Sequence, residues 1–456
     1  MNHSPATEQA ANATRPTLAR ELGLVDATAI VVGTIIGSGI FLVPRTVSQQ
    51  LPSLGAALLV WVVGGALSLA GALSLAELGA AFPGAGGLYV YLRHAYGRAA
   101  GFLYGWGLLS MIHSGSIATL AVAFGLYLSR LVPLELATQK AVSVGCVLLL
   151  SFINCLGIRA GKRVQNIFAV AKLGGLTLMI LLLFARGRPL ELLPAQFWSG
   201  SGGGFALLPF GVALVAVLWA YEGWHVVSFT AGEIRDPTRN LPRSLFYGTL
   251  IIIGVYLLAN LGYYSVLTGA EIAASDTVAA TAMSRTVGAA ASGSISLLIL
   301  VSIFGAMNGM VLTGPRVYYA MAQDGLFFRV FARMSARYRT PVFAILVQGA
   351  WASLLTLLGT FQELFTYVIF TAWIFYGATA AGVIVLRRAQ PRLTRPFRVP
   401  GYPWLPAVFT LAALGITVNT IAAGPARAAL GIGLILLGVP LYLFFRRGTT
   451  TAHAGA

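Results

Sequence analysis

Acidic residues are scarce in this chain: thirteen aspartates and glutamates among 456 residues, against thirty lysines and arginines. Charged residues of both signs make up only 9%, where a soluble globular domain carries about a quarter. That shortage excludes a protein with an ordinary water-facing surface. Cysteine is nearly absent as well. Cys146 and Cys155 are the only two and share one apolar run, so no structural disulfide is expected. Of the five histidines, His3, His94 and His453 lie outside the apolar runs, and no metal-ligand set assembles from the rest. A Walker A sequence is missing, which argues against an ATP-driven pump. Residues 1–20 are polar, and the first apolar run is too long and lacks an A-x-A site, so no cleavable signal peptide is expected.

What is present is apolar sequence, 57% of the chain, in runs of the length a bilayer demands of a helix, about twenty residues. An all-α polytopic membrane protein follows. Spans are predicted at 24–48, 54–82, 100–129, 138–157, 163–185, 205–231, 242–267, 291–322, 341–359, 363–386, 403–423 and 427–445, twelve in all. A single transmembrane domain over 21–447 is expected between a disordered tail at 1–20 and a short tail at 448–456. With the N-terminus in the cytoplasm, twenty-one Lys and Arg fall on the cytoplasmic side and seven opposite, with Lys172 and Arg316 inside spans. That asymmetry obeys the positive-inside rule and explains the +17 charge without nucleic acid. Both termini are then cytoplasmic.

Two spans carry an interruption. In "VVGTIIGSGIF" (31–41) it is Gly37-Ser38-Gly39, and in "LWAYEGWHVVSF" (218–229) it is Glu222-Gly223. Glycine weakens a helix interior by roughly 1 kcal/mol relative to alanine, and non-helical backbone at membrane depth is tolerated only where it lines an enclosed cavity. Breaks in spans one and six, at corresponding places in two five-helix halves (24–185 and 205–386, with 403–445 as two added helices), point to a 5+5 inverted-repeat transporter with its site at the midplane. The half-helix starting near Ile40 offers open N–H donors and positive partial charge to a carboxylate. The carbonyls ending the half-helix at Trp219 and Ala220 suit an ammonium. Together they fit an α-amino acid. Close helix packing through Gly33 and Gly37 is the competing reading of the first break, and the two can coexist.

"GTIIGSGIF" followed by "LVP", "ALSLAELGAAFPGAGGLYVYLRHAYG" (72–97), "VQNIFAVAKL" (164–173), "WAYEGW…AGEIRDPTRNLPRSL" (219–245) and "RPFRVPGYPWLP" (395–406) resemble the amino acid–polyamine–organocation (APC) transporters. Among them the chain is most similar to bacterial relatives of the L-type amino acid transporters. The resemblance implies a twelve-helix alternating-access carrier of L-amino acids. It places carboxylate binding on the backbone of Ile36, Gly37, Ser38, Gly39 and Ile40, and amino-group binding on Trp219, Ala220 and Glu222, beside Gly223 of the same break. Trp219 takes the place of an aromatic gate over the substrate. Animal members join a single-span glycoprotein through a cysteine in the loop between the third and fourth helices. Here that loop, roughly 130–138, has none, so no disulfide-linked heavy subunit is expected.

Ionisable groups inside a membrane are costly and usually functional. Lys172 lies nine residues beyond Arg163, about 13 Å along a helix, too deep for easy snorkelling. The resemblance sets its ammonium where sodium-coupled relatives hold a cation, between helices one, five and eight, which implies sodium-independent transport with Lys172 as the coupling residue. Glu222 has two open roles: receiving a cationic substrate side chain, or pairing internally to fix the broken helix, with His225 one turn away. His113, beside the polar Ser114–Ser116 stretch, is read as a core histidine, with a place on the cavity wall as the alternative. Glu77 and Arg316 are read as gate or packing residues, Asp26 as a cap of the first helix, and Glu233 and Asp236 as loop ion pairs with Arg235, Arg239 and Arg243.

The expected function is sodium-independent exchange of neutral L-amino acids across a bacterial cytoplasmic membrane. Proton-coupled symport, cationic amino acid transport and a non-transporting sensor remain open alternatives. No enzyme, cofactor or metal is implied; the expected partners are the amino acid, the bilayer and, in the symport reading, protons.

Overall fold

The computed structural model describes residues 18–51, 53–187, 197, 207–288, 291–423 and 425–453. Most of the expected N-terminal tail, the start of span six and the last three residues therefore lie outside the described residues. Within them the chain is helical, apart from one isolated parallel bridge between Leu22 and Ile234. Nine helices are long and apolar enough to cross a membrane, and a tenth span is formed by a bent pair, Leu24–Ile35 (α1) and Gly39–Gln50 (α2), which meet at 45°.

The helices follow from long apolar runs closed by turn residues. Leu54–Ala81 (α3) begins at a Ser53 cap that accepts from the Ala56 amide. A short helix, Leu88–Tyr96 (α4), follows the Gly-rich turn at 84–87. Arg98–Gly107 (α5) passes through a wide π turn at Leu108–Ile112 into His113–Ser129 (α6). Such a turn inside a helix commonly marks a functional site. Leu136–Cys155 (α7) and Ile158–Arg186 (α8) follow.

Leu207–Ala220 (α9) ends at the second break, and the chain resumes as a tighter 3-10 helix, Trp224–Glu233. Pro237–Val266 (α10) leads into two short helices, Gly269–Ala274 (α11) and Val278–Val287 (α12). The predicted span at 291–322 is interrupted: Gly314 alone separates Ala291–Thr313 (α13) from Pro315–Gln323 (α14). Proline is tolerated at a first helical turn because it has no amide hydrogen to lose. Val342–Leu358 (α15), Phe361–Ala389 (α16) and Trp404–Ala423 (α17) follow. Pro425–Leu436 (α18) and Gly438–His453 (α19) close the chain, the last running past the expected boundary at 447.

The burial pattern is that of a bundle in lipid. Leu148, Phe152, Ile167, Val170, Leu178 and Leu181 are exposed on the outer faces of α7 and α8, whereas the interior combines large apolar and aromatic side chains with buried polar groups such as Gln165, Asn308 and Gln348. Lipid supplies no hydrophobic drive between helices, so close packing and internal hydrogen bonds take over. A chain of such bonds joins Asn154, Asn308 and Gln165 across α7, α13 and α8, at 3.0 and 2.8 Å.

The arginine-rich end of the bundle is tied together by long-range contacts. Leu22 donates to Glu233 O at 2.9 Å and accepts from the Arg235 amide at 2.8 Å. Arg316 grips Glu233 through two hydrogen bonds, 2.7 and 3.0 Å, with both side chains fully buried. Glu233 is thus not the exposed loop partner of Arg235 that sequence proximity suggested; its partner comes from α14, 83 residues away. Glu77 accepts from Arg387 at 2.8 and 2.6 Å and from the Val399 amide at 2.7 Å. Arg93 pairs with Asp324, and Arg159 with Glu21. Asp26 does cap α1, accepting from the Gly23 amide at 2.9 Å, and it also holds Lys162 and Asn166.

A candidate amino acid site between two broken helices

The first break spans Ile36–Ser38. Ile36 is the last amide paired into α1, and Phe41 and Leu42 return to pairing on Ser38 O at 3.1 and 3.2 Å. Between them, the amides of Gly37, Ser38, Gly39 and Ile40 donate to no backbone carbonyl among the described residues. These are the free donors that open any helix, here set inside the bundle. The Ser38 hydroxyl is also buried without a protein partner.

The second break needs a left-handed residue, and Gly223 supplies it at φ 116°, a conformation a side chain would oppose. The two breaks abut. A Cβ at Gly39 would lie 2.7 Å from Ala220 Cα, and one at Gly223 would lie 3.0 Å from Thr34 Cγ2. Tyr256 on α10 reaches both, with its hydroxyl 3.2 Å from Ile35 O and 3.1 Å from Ala220 O.

Beside this junction lies a cavity of about 50 Å³ lined by Thr34, Ile35, Gly37, Ser38, Gly39, Ser116, Thr119, Leu120, Trp219, Ala220, Glu222, Met310 and Val368. At roughly 10–15 Å³ per water-sized group, it holds only a few such groups. Three of its hydroxyls are turned onto their own helices: Thr34 to Ile30 O, Ser116 to Ile112 O and Thr119 to Gly115 O. The Ala220 carbonyl, within reach of Tyr256, keeps a second lone pair. The open groups are therefore the amides of Gly37, Ser38 and Gly39, the Ser38 hydroxyl, the carbonyls ending α9 and the Glu222 carboxylate.

Of the residues singled out from sequence, Gly37, Ser38, Gly39, Trp219, Ala220 and Glu222 line this cavity. Ile36, Ile40 and Gly223 do not. Ile36 and Ile40 bury their side chains in the core, the Ile36 carbonyl is taken by Lys172, and Gly223 packs on Thr34. The sequence reading passed over Thr34, Thr119, Met310 and Val368, which are ordinary residues of apolar helices with nothing local to mark them, whereas Ser116 belongs to the polar Ser114–Ser116 stretch that it did weigh for the cavity.

Glu222 is held internally. Tyr376 on α16 donates to it at 2.5 Å and lies 3.2 Å from His225 Nε2, while His225 Nδ1 stands 3.6 Å from the carboxylate. His113 is a core histidine, 2.8 Å from Met310 O. Lys172 on α8 is fully buried. Its ammonium donates to Gly33 O and, at 2.7 Å, to Ile36 O, the terminal carbonyls of α1. On its other side Gly305 of α13 leaves the room: a Cβ there would stand 2.7 Å from Lys172 Cε and 3.0 Å from Nζ. A cation at a helix C-terminus complements the dipole. Among the described residues, no three His, Cys, Asp or Glu side chains gather as metal ligands.

The profile of the family described as amino acid permease matches residues 22–445. The b(0,+)-type amino acid transporter 1 of Homo sapiens is 34% identical over 436 residues, covering 94% of this chain and 88% of that protein. The large neutral amino acids transporter small subunit 2 of Mus musculus is 33% identical over 449 residues, 96% and 83% of the two chains. The Asc-type amino acid transporter 1 of the same species is 32% identical over 453 residues, 96% and 84%.

Proposed function

The chain belongs to the amino acid permease family, a membrane-spanning transporter and not an enzyme, and from that premise we propose that it exchanges neutral L-amino acids without sodium. Alternating access in a twelve-helix, 5+5 inverted-repeat bundle is the mechanism we infer, with the arginine-rich end in the cytoplasm of a bacterial cell.

One observation carries the reading: the free amides of α2 and the carbonyl end of α9 face one cavity of about 50 Å³. The carboxylate would sit on the amides of Gly37–Ile40 and the Ser38 hydroxyl, with the ammonium at the carbonyls ending α9. Trp219 would close the cavity. The small volume favours small side chains such as alanine and serine. Lys172, already bonded to the end of α1, would place its amino group between α1, α8 and α13, where it would make a sodium ion unnecessary. Because the α6–α7 loop lacks cysteine, the proposed carrier works without a disulfide-linked subunit.

The test is uptake of labelled alanine into sodium-free proteoliposomes, with and without internal amino acid. Exchange predicts uptake only with internal substrate. A second reading, proton-coupled symport, is favoured by the Glu222–Tyr376–His225 cluster at the cavity wall. It predicts uptake into empty liposomes driven by an inward proton gradient. Failure of unlabelled amino acids to compete under either condition would overturn both.

A further inference from the structure

On the outer flank of the arginine-rich end, a groove of about 510 Å³ runs between the first turns of α10 and the chain at 396–400. Three arginines line it: Arg239 and Arg243, one turn apart on α10, and Arg398. All three are exposed, and among the described residues none pairs with a carboxylate. The nearby Glu77 is already committed to Arg387, Arg395 and the Val399 amide, and Asp236, the other carboxylate close in sequence, forms no ion pair among the described residues. Three uncompensated guanidinium groups in one groove are a site for an anion, since a guanidinium matches phosphate oxygens with paired donors.

The groove is apolar on its remaining wall, through Phe246, Tyr247 and Phe397. The same face of α10 continues as exposed Leu250, Ile251 and Leu258, which is a surface for acyl chains. Aromatic side chains at this level match the usual membrane–water boundary. Tyr247 also lines a second, more apolar groove of about 380 Å³ against Leu24, Val25 and Val32 of α1. Charge and apolar surface are therefore continuous from the arginines to the flank of the first broken helix.

We propose that this groove binds one anionic phospholipid, its headgroup phosphate held by Arg239, Arg243 and Arg398 and its acyl chains lying along the outer face of α10. A free phosphate shares the headgroup chemistry but not the chains, and the apolar wall decides for the lipid. The inference does not depend on which amino acid is carried or how transport is driven.

The experiment is native mass spectrometry of the full-length protein titrated with phosphatidylglycerol or with phosphatidylcholine. The comparison is between wild type, Arg239→Gln/Arg243→Gln/Arg398→Gln, and a charge-matched control, Arg329→Gln/Arg333→Gln/Arg392→Gln, on the same end of the molecule. At about fivefold per basic residue near the surface, the site variant should bind phosphatidylglycerol roughly a hundredfold more weakly, with phosphatidylcholine unchanged and the control retaining wild-type affinity. Equal losses in the two variants would reduce the effect to general surface charge and overturn the site. Displacement of the lipid by millimolar inorganic phosphate would overturn the lipid in favour of a soluble anion. If the triple variant is not monodisperse, each single Arg→Gln change should still weaken phosphatidylglycerol binding about fivefold, and three unchanged singles refute the proposal.

Discussion

Replacing Lys172 by methionine keeps the length of the side chain and removes its charge and donors. Two hydrogen bonds from an ammonium to backbone carbonyls are lost, those to Gly33 and Ile36, each worth about 1.5–3 kcal/mol when one partner is charged. Part of that gain was already offset by burying the ammonium, which takes several kcal/mol from any unpaired charge. The net loss to the state in which α1 rests against α8 is then about 2–3 kcal/mol, or roughly 30–150-fold in the rate of a step that passes through it. Lys172 does not line the cavity, so the loss should fall on turnover and not on binding. In proteoliposome exchange, kcat should drop by that factor while KM stays within about threefold. Gly305→Ala should reproduce the defect with the lysine intact, because the new Cβ would sit 3.0 Å from Nζ. A Lys172→Met protein that exchanges within twofold of the wild-type rate would refute the coupling role and leave the lysine as packing.

Three further outcomes are expected. Gly39→Ala places a Cβ 2.7 Å from Ala220 Cα and 2.9 Å from its Cβ; forcing the breaks apart takes about 1–3 kcal/mol and should weaken amino acid binding by about five- to a hundredfold in equilibrium titrations of a folded protein. Glu233→Gln strands the buried Arg316 guanidinium, a loss of about 3–5 kcal/mol, whereas Glu233→Leu/Arg316→Met should recover most of it; equal melting temperatures for the single and double variants would contradict this. On the opposite end, Arg285 and the Thr268 amide and hydroxyl hold the Glu271 carboxyl down at about 2, below its ordinary 4.5. A lowered folded value stabilises above the unfolded one, so the Glu271–Arg285 link should be complete above about pH 5 and be lost as pH falls through 4.5 towards 2. The hydrogen-exchange difference between wild type and Glu271→Gln over 268–287, taken at matched pH, should follow that course.

A polytopic helical chain could be read because apolar runs of bilayer length favour one outcome, although nine helices and one bent pair reach spanning length among the described residues against twelve expected spans; the breaks could be read because glycine and glutamate are conspicuous within such runs. Lys172 was visible for the same reason. Tyr256 and Tyr376 were not: a tyrosine in an apolar helix is unremarkable until its hydroxyl is seen against Ala220 O or Glu222. Glu233 was misassigned because chain proximity favoured Arg235, whereas the fold pairs it with the fully buried Arg316 of α14. The π turn at Leu108–Ile112 is a local departure of which hydropathy carries no record, whereas the interruption ahead of Pro315 follows from a proline that has no amide hydrogen to donate.

A tyrosine hydroxyl has a single hydrogen to give, yet Tyr256 has two carbonyls within reach, Ile35 O at 3.2 Å and Ala220 O at 3.1 Å. The ends of the two half-helices therefore compete for one proton. If either end moved away, as the proposed alternating access requires, the hydrogen could stay with the other and Tyr256 would keep one acceptor. On the proposed mechanism, Tyr256 would let either half-helix end move without leaving a stranded donor.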